Sequence, residues 1–303
     1  MIVTEGLTKR YRKVNALADL SLTIRQGEVF GLLGPNGSGK TTTIRLLLGL
    51  LRPTSGHATV AGYDCWADSL QVRRLVSYLP GELRMPGSMS GFSLLRYLSD
   101  LRGGETLDRA VALAEQVMKL DLRRKVRTYS TGMKQKLALA QAFSDPVEIL
   151  ILDEPTSALD PSARAEVLQL VRQANRIHKQ TVIFSGHVLS EVEEVSDRVA
   201  IMAEGRMLHL EDLHERRSLR LLLIRFTGEV PMDFPPELAL TVRETREGGC
   251  LLLEHRGELG ELLEWLNHQR EQVVDLAIGT DDLKSLYEQY HQSKPAELEP
   301  TTR

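Results

Sequence analysis

Gly34-Pro35-Asn36-Gly37-Ser38-Gly39-Lys40-Thr41 decides the fold class of this chain, because it fits the pattern GxxxxGK[ST] at every fixed position. The residue types follow from what a bound phosphate needs. Gly37 and Gly39 let the backbone curl so that successive N–H groups converge on phosphate oxygens. A helix opening at this point adds the partial positive charge of its N-terminus. Lys40 is expected to reach the β- and γ-phosphates, Thr41 to offer a hydroxyl to Mg²⁺, and Thr42 to contact the α-phosphate region. The flanks agree. Val29 to Leu33 is a short apolar run bounded by Gly27 and Gly34, as a buried strand is. Lys40 to Leu51 reads as a helix, ended by the turn chemistry of Pro53-Thr54-Ser55-Gly56.

The next chemistry-bearing stretch lies far downstream. Ile149-Leu150-Ile151-Leu152-Asp153-Glu154 is a buried strand that ends in two acids. Such a run puts Asp153 and Glu154 at the carboxyl end of a central strand, where α/β sheets bind ligands. Asp153 is expected to hold Mg²⁺ through water. Glu154 is expected to orient and deprotonate an attacking water.

Between and around these motifs the chain changes character. Met1 to Glu5 and Ala18 to Arg25 alternate like strands around the polar Thr8 to Lys13. From about Ser88 to Phe143 the apolar residues recur at helical spacing, which reads as a helical insertion. The α/β pattern then resumes, with a helix over Ser162 to His178, a strand over Thr181 to Ser185, a helix near Ser190 to Val195 and a strand over Arg198 to Met202. After about Glu215, Leu219 to Phe226, Ala239 to Glu244, Cys250 to Glu254 and Val273 to Ile278 read as strands. Glu258 to Gln269 and Asp281 to Tyr290 read as helices, giving a small α+β domain. The tail Ser293 to Arg303, with two prolines, reads as disordered.

Composition bounds the function. The 303 residues suit one large domain with an appendage. With 38 Lys+Arg against 41 Asp+Glu, the net charge of −3 supplies no bulk attraction to nucleic acid or anionic lipid. The basic runs Arg123 to Arg127 and His214 to Arg217 read as solvated surface. Cys65 and Cys250 have neither metal nor disulfide-framework spacing, and read as packing residues. No apolar run approaches the roughly 20 residues that cross a bilayer, and no signal peptide is apparent.

Further segments carry a resemblance. Tyr129-Ser130-Thr131-Gly132-Met133-Lys134-Gln135-Lys136 looks like a signature loop, Ser157-Ala158-Leu159-Asp160 like a D-loop, and His187 in Phe184-Ser185-Gly186-His187 like a switch histidine. Together with the phosphate loop and the acid pair, in this order, they resemble the ATP-binding subunit of ABC transporters from about Met1 to Glu211. The resemblance implies an α/β P-loop NTPase of ABC type, with N-terminal antiparallel strands and a helical insertion, followed by the small α+β domain. The domains are then 1–215, with the insertion at about 88–143, an accessory domain at 216–292, and a tail at 293–303.

The resemblance also implies roles. ATP and Mg²⁺ would be the cofactors. Ser130 and Gly132 would contact the γ-phosphate of ATP held by a second copy in a head-to-tail dimer, and Asp160 would shape that interface. His187 would hydrogen-bond the γ-phosphate and the attacking water. Tyr11 would stack on adenine, the other reading being a packing tyrosine beside Arg10 and Arg12. A separately encoded integral membrane permease would be the partner, with the chain peripheral on the cytoplasmic face of the cell membrane and no nucleic acid bound. The other class of function considered is a soluble ABC-type regulator in translation or chromosome maintenance.

The sequence departs from the family's pattern in places. The family usually has a glutamine where Ser77-Tyr78-Leu79-Pro80 is followed here by Gly81 and Glu82. Gly81 has no side chain, and a carboxylate at Glu82 cannot donate as an amide does. Tyr129, Thr131 and Met133 differ from the commonest signature and look like the drug- and antibiotic-exporter branch. The region after about Arg217 reads either as a regulatory or dimer-stabilising domain, or as a cover for the ATPase surface.

Overall fold

A computed structural model of the protein describes residues 1–227, 234–246, 249–256 and 259–280. The chain divides into two compact units, Met1–Glu211 and Asp212–Arg303.

The first unit opens with β1 (Ile2–Tyr11) and β2 (Val14–Ile24), which pair antiparallel. β1 therefore runs through the segment Thr8 to Tyr11, which by its polarity reads as loop. Backbone pairing is the reason: Lys9, Arg10 and Tyr11 face Leu17, Asn15 and Val14. Thr54 N–H also donates to Thr8 O at 2.8 Å. A hairpin's ladder needs no apolar side chains to form, so hydropathy alone misses it.

The phosphate-loop strand is β3 (Val29–Leu33) and its helix is α1 (Lys40–Leu47). α1 stops short of Leu51. Gly49 N–H donates to Leu46 O at 3.0 Å and Leu50 N–H to Arg45 O at 2.9 Å, a Schellman closure. Gly49 has φ 63°, and a Cβ there would stand 2.1 Å from Cys65 O, so no other residue fits. The chain continues through β4 (Ser55–Val60), β5 (Tyr63–Asp64), α2 (Ser69–Leu75) and β6 (Val76–Leu79). The helical insertion supplies α3 (Gly91–Asp100), α4 (Leu107–Ala112) and α5 (Thr131–Ser144). Then follow β7 (Ile149–Asp153), α6 (Pro161–Arg176), β8 (Thr181–Gly186), α7 (Leu189–Val195), β9 (Arg198–Ala203) and β10 (Arg206–Asp212).

Two sheets result. One has the order β2-β1-β4-β5, and the six-stranded one has the order β10-β9-β3-β8-β7-β6. In the second, β3 pairs parallel with β8 and β9, and β7 pairs parallel with β6 and β8. Parallel pairing brings the carboxyl ends of β3, β8 and β7 to one edge. The phosphate loop, His187 and the acid pair all leave from that edge. Ile44 and Leu47 of α1 share one core with Ile2, Ile24 and Val60 of the antiparallel sheet and Ile149, Ile151 and Ile183 of the parallel one. The site helix is thus clamped by apolar burial from both sheets. Cys65 belongs to this core as a packing residue, its thiol pushed up to about 12 by burial and secondarily by Asp64. Among the described residues, no helix is long and apolar enough to cross a membrane.

In the second unit, α8 (Leu213–Ser218) precedes β11 (Arg220–Phe226), β12 (Leu240–Arg246), β13 (Cys250–His255), α9 (Leu259–His268) and β14 (Val273–Thr280). The sheet order is β12-β13-β11-β14, antiparallel throughout. Leu262 and Leu266 of α9 pack on Leu222, Ile224, Leu251 and Leu253. The helix read at Asp281 to Tyr290 and the tail from Ser293 lie outside the described residues.

His255 is expected to make this unit acid-sensitive. It is fully buried, and its Nε2 has no hydrogen-bond partner among the described residues. Burial, and then Arg220, lower its pKa from the ordinary 6.5, against a smaller opposite pull from Glu261. Folded His255 therefore binds its proton less readily than the unfolded chain does. Its contribution is complete above about pH 6.5 and declines as pH falls through the lowered value. Hydrogen-exchange protection of β11 and β13 in the full chain should drop as pH is lowered below about 6.5, and His255→Leu should flatten that dependence. An unchanged slope in the variant would exclude His255 as its source.

Candidate functional site

The phosphate loop is shaped by glycines in conformations closed to other residues. Gly37 has φ 82° and Gly39 has φ 107°, the left-handed region that side chains resist. The loop is anchored on both sides: Gly34 N–H donates to Gly186 O at 3.2 Å, and Gly205 N–H to Ser38 O at 3.1 Å. A Cβ on Gly34 would lie 2.2 Å from Met202 O, so the loop seats directly on the end of β9. Lys40, only 4% exposed, curls back over the loop. Its Nζ donates to Gly34 O at 2.8 Å and Pro35 O at 3.1 Å, and stands 3.4 Å from Glu154 Oε1.

The acid pair is organised by the neighbouring strand. Asp153 faces Ser185 across the β7–β8 ladder. Ser185 Oγ donates to Asp153 Oδ1 at 2.7 Å and accepts from Glu154 N–H at 3.0 Å. Asp153 is fully buried, yet its Oδ2 has no hydrogen-bond partner among the described residues. Glu154 has φ 50°, a left-handed backbone that is costly for a non-glycine residue. Its carboxylate lies between two cationic or potentially cationic groups, Lys40 Nζ at 3.4 Å and His187 Nδ1 at 3.6 Å.

Lys40 and Glu154 border a cavity of about 470 Å³, a volume that suits a small-molecule ligand, whereas Asp153 and His187 are not among its lining residues. Gly37, Lys40, Thr41, Thr42 and Glu154 line it on the phosphate-loop side. Val14, Asn15 and Ala16, from the start of β2, line another wall. Tyr11 is not a lining residue. It lies half-exposed at the end of β1, with Lys9 Nζ 5.1 Å from its ring centroid.

The donor set fits Mg²⁺. The orphaned carboxylate oxygen of Asp153 and the hydroxyl of Thr41 are hard oxygen ligands of the kind Mg²⁺ takes. Beside Asp153 stands Gly81, where a Cβ would be 3.4 Å from Oδ2. Glu82 pairs instead with Arg84 at 3.2 Å on the surface.

The signature-loop residues form a separate cluster. Ser130 caps α5, its Oγ accepting from Met133 N–H at 3.2 Å. A Cβ on Gly132 would stand 2.8 Å from Ala158 O, so the D-loop packs directly on the helix start. Gln135 Nε2 adds a buried bond to Pro155 O at 3.0 Å. Asp160 caps α6 by accepting from Ala163 N–H at 3.0 Å, a bond that holds its carboxyl below the usual range. None of Ser130, Gly132 and Asp160 lines the cavity.

Two side-chain ties within the site escape sequence reading. Ser185 is a short polar residue ending an apolar strand, and only the strand register reveals its link to Asp153. Gln135 looks like an ordinary helix residue until its bond to Pro155 is seen.

Phosphate loop, acid pair and histidine at one edge of a parallel sheet define a nucleotide-binding ATPase cassette. The family model described as ABC transporter matches residues 17–157. A bacitracin transport ATP-binding protein of Bacillus licheniformis is 33% identical over 298 residues, covering 95% of this chain and 96% of that protein. An uncharacterized ABC transporter ATP-binding protein of Bacillus subtilis is 30% identical over 284 residues, 93% of each chain. Among solved structures, a dimeric ATP-binding cassette in a post-hydrolysis state, bound to ADP and Pi, has the same fold. Its TM-score is 0.64 at 21% identity, over 70% of this chain and 99% of that one. The chain belongs to the ABC transporter family as an ATP-binding subunit.

Proposed function

We propose that two copies of this chain close head to tail on ATP and Mg²⁺, and that hydrolysis powers export through a separately encoded membrane permease. The observation that carries this reading is the Glu154 carboxylate, poised between Lys40 and His187 directly after Asp153. Thr41 and Asp153 would hold Mg²⁺, whose charge would offset that of the phosphate oxygens. The loop N–H groups and Lys40 grip the β- and γ-phosphates, and Thr42 contacts the α-phosphate region. Glu154 takes the proton of the attacking water. His187 hydrogen-bonds that water and the γ-phosphate. Tyr11 supplies the aromatic face for adenine, swinging over the wall formed by Val14 to Ala16.

Ser130 and Gly132 lie outside the cavity of their own copy, and so do the residues of the D-loop. That placement supports a role across the dimer: the N-terminus of α5 faces the γ-phosphate held by the second copy, and Asp160 shapes the seam. Transport is favoured by the near full-length similarity to the bacitracin transport protein, and export by the exporter-like signature residues Tyr129, Thr131 and Met133. The chain would then sit on the cytoplasmic face of the membrane, held there by the permease.

The test is to purify the chain with its membrane partner from detergent-solubilised membranes, reconstitute the complex in vesicles, and measure hydrolysis and outward transport. Mg²⁺-dependent hydrolysis coupled to transport is expected. No hydrolysis at high protein concentration with the partner present would overturn the enzyme assignment. Recovery with ribosomes or DNA, and with no integral membrane protein, would overturn the transport assignment.

A further inference from the structure

We propose that Ser185 is the positioning residue for both acids of the site, selecting which oxygen of Asp153 is offered to the metal and holding Glu154 in its left-handed backbone. The inference rests on the roles proposed above for Asp153 and Glu154.

Ser185 is fully buried at the end of β8 and touches no wall of the nucleotide cavity. Its one hydroxyl serves two consecutive residues. The proton goes to Asp153 Oδ1 at 2.7 Å, and a lone pair receives Glu154 N–H at 3.0 Å. The first bond occupies Oδ1 and leaves Oδ2 as the free oxygen. A buried carboxylate with one oxygen tied down is set in orientation, whereas one with neither tied could rotate about χ2 at little cost. Gly81, the residue standing 3.4 Å from Oδ2 by its ideal Cβ, has no side chain to donate. Among the described residues, Ser185 provides the only hydrogen bond to the Asp153 carboxylate.

The second bond acts on the backbone. Glu154 at φ 50° pays for a conformation that costs on the order of 1–3 kcal/mol. That turn is what breaks the strand's alternation and aims the carboxylate at Lys40 and His187. The Glu154 N–H would be partly buried and unsatisfied without Ser185, so the bond favours the strained turn over an extended continuation.

A serine that merely fills space would affect stability and every nucleotide interaction alike. A positioning serine affects only what depends on the two acids. The test uses the full chain and compares Ser185→Ala, Ser185→Thr and Asp153→Ala with the parent. ATP affinity is titrated first in excess EDTA and then against rising Mg²⁺, with kcat, KM and the unfolding midpoint measured alongside. For Ser185→Ala, metal-free ATP affinity should stay within about twofold. The Mg²⁺ concentration for half-maximal tightening should rise about tenfold, and kcat should fall about 10- to 100-fold with KM little changed. Ser185→Thr, which keeps the hydroxyl and suits a strand, should recover most of the Mg²⁺ response.

Parental Mg²⁺ dependence in Ser185→Ala, with Asp153→Ala shifted, would overturn the positioning role alone. An equal loss of metal-free and metal-dependent binding in Ser185→Ala would also overturn it. Unshifted Mg²⁺ dependence in Asp153→Ala would remove the metal assignment and this inference with it.

Discussion

Glu154→Gln should retain ATP while hydrolysing it on the order of 10²- to 10⁴-fold more slowly, the range a positioned general base contributes. The amide matches the carboxylate in size and cannot accept the water's proton. The backbone turn should survive, because Ser185 holds it through the Glu154 N–H and not through the side chain. Neutralising the carboxylate also releases Lys40 Nζ, 3.4 Å away, from an anionic neighbour that competes with phosphate. ATP should therefore bind at least as tightly as in the parent. With binding kept and hydrolysis stalled, the closed dimer should accumulate. Single-turnover phosphate release, retained nucleotide after gel filtration, and dimer mass by light scattering check each part. Hydrolysis at the parental rate would remove Glu154 from the role of base.

Lys40→Ala should abolish useful ATP binding. Hydrogen bonds to a charged group are worth about 1.5–3 kcal/mol each, so losing one or two from the phosphates weakens binding by about tenfold to about 10⁴-fold. A second loss follows from the geometry. Lys40 is almost fully buried and donates to the carbonyls of Gly34 and Pro35, so alanine also removes the tie across the loop. The loop that turns at Gly37 and Gly39 then lacks a cation to close around. Titration with a fluorescent ATP analogue reads the affinity, and the unfolding midpoint without nucleotide separates loop loss from global unfolding. Parental affinity in this variant would contradict the phosphate role of Lys40.

Comparing the sequence with the structure shows where local information ends. The strand-loop-helix around Gly34 to Thr41 and the apolar run into Asp153 are local patterns, and both were legible. Helix ends and hairpins were less so. α1 stops at Leu47 because Gly49 must approach Cys65, a contact between segments apart in the chain. β1 extends to Tyr11 because its partner strand supplies the ladder. Tyr11 itself stands out only through the resemblance, whereas the cavity wall is built by Val14, Asn15 and Ala16. β10 adds a further strand at Arg206–Asp212, beyond Met202, where hydropathy marks no strand.

Which groups suit phosphate and water is a local matter, legible in the chain because glycines, lysine and acids sit at set spacings along one strand-turn or strand end. Only the tertiary structure decided how those groups meet. β8 lies between β3 and β7, so one register places Ser185 against Asp153 and delivers His187 to Glu154. Strand order and register are settled by long-range backbone pairing and burial, and neither is written in any local stretch of the chain.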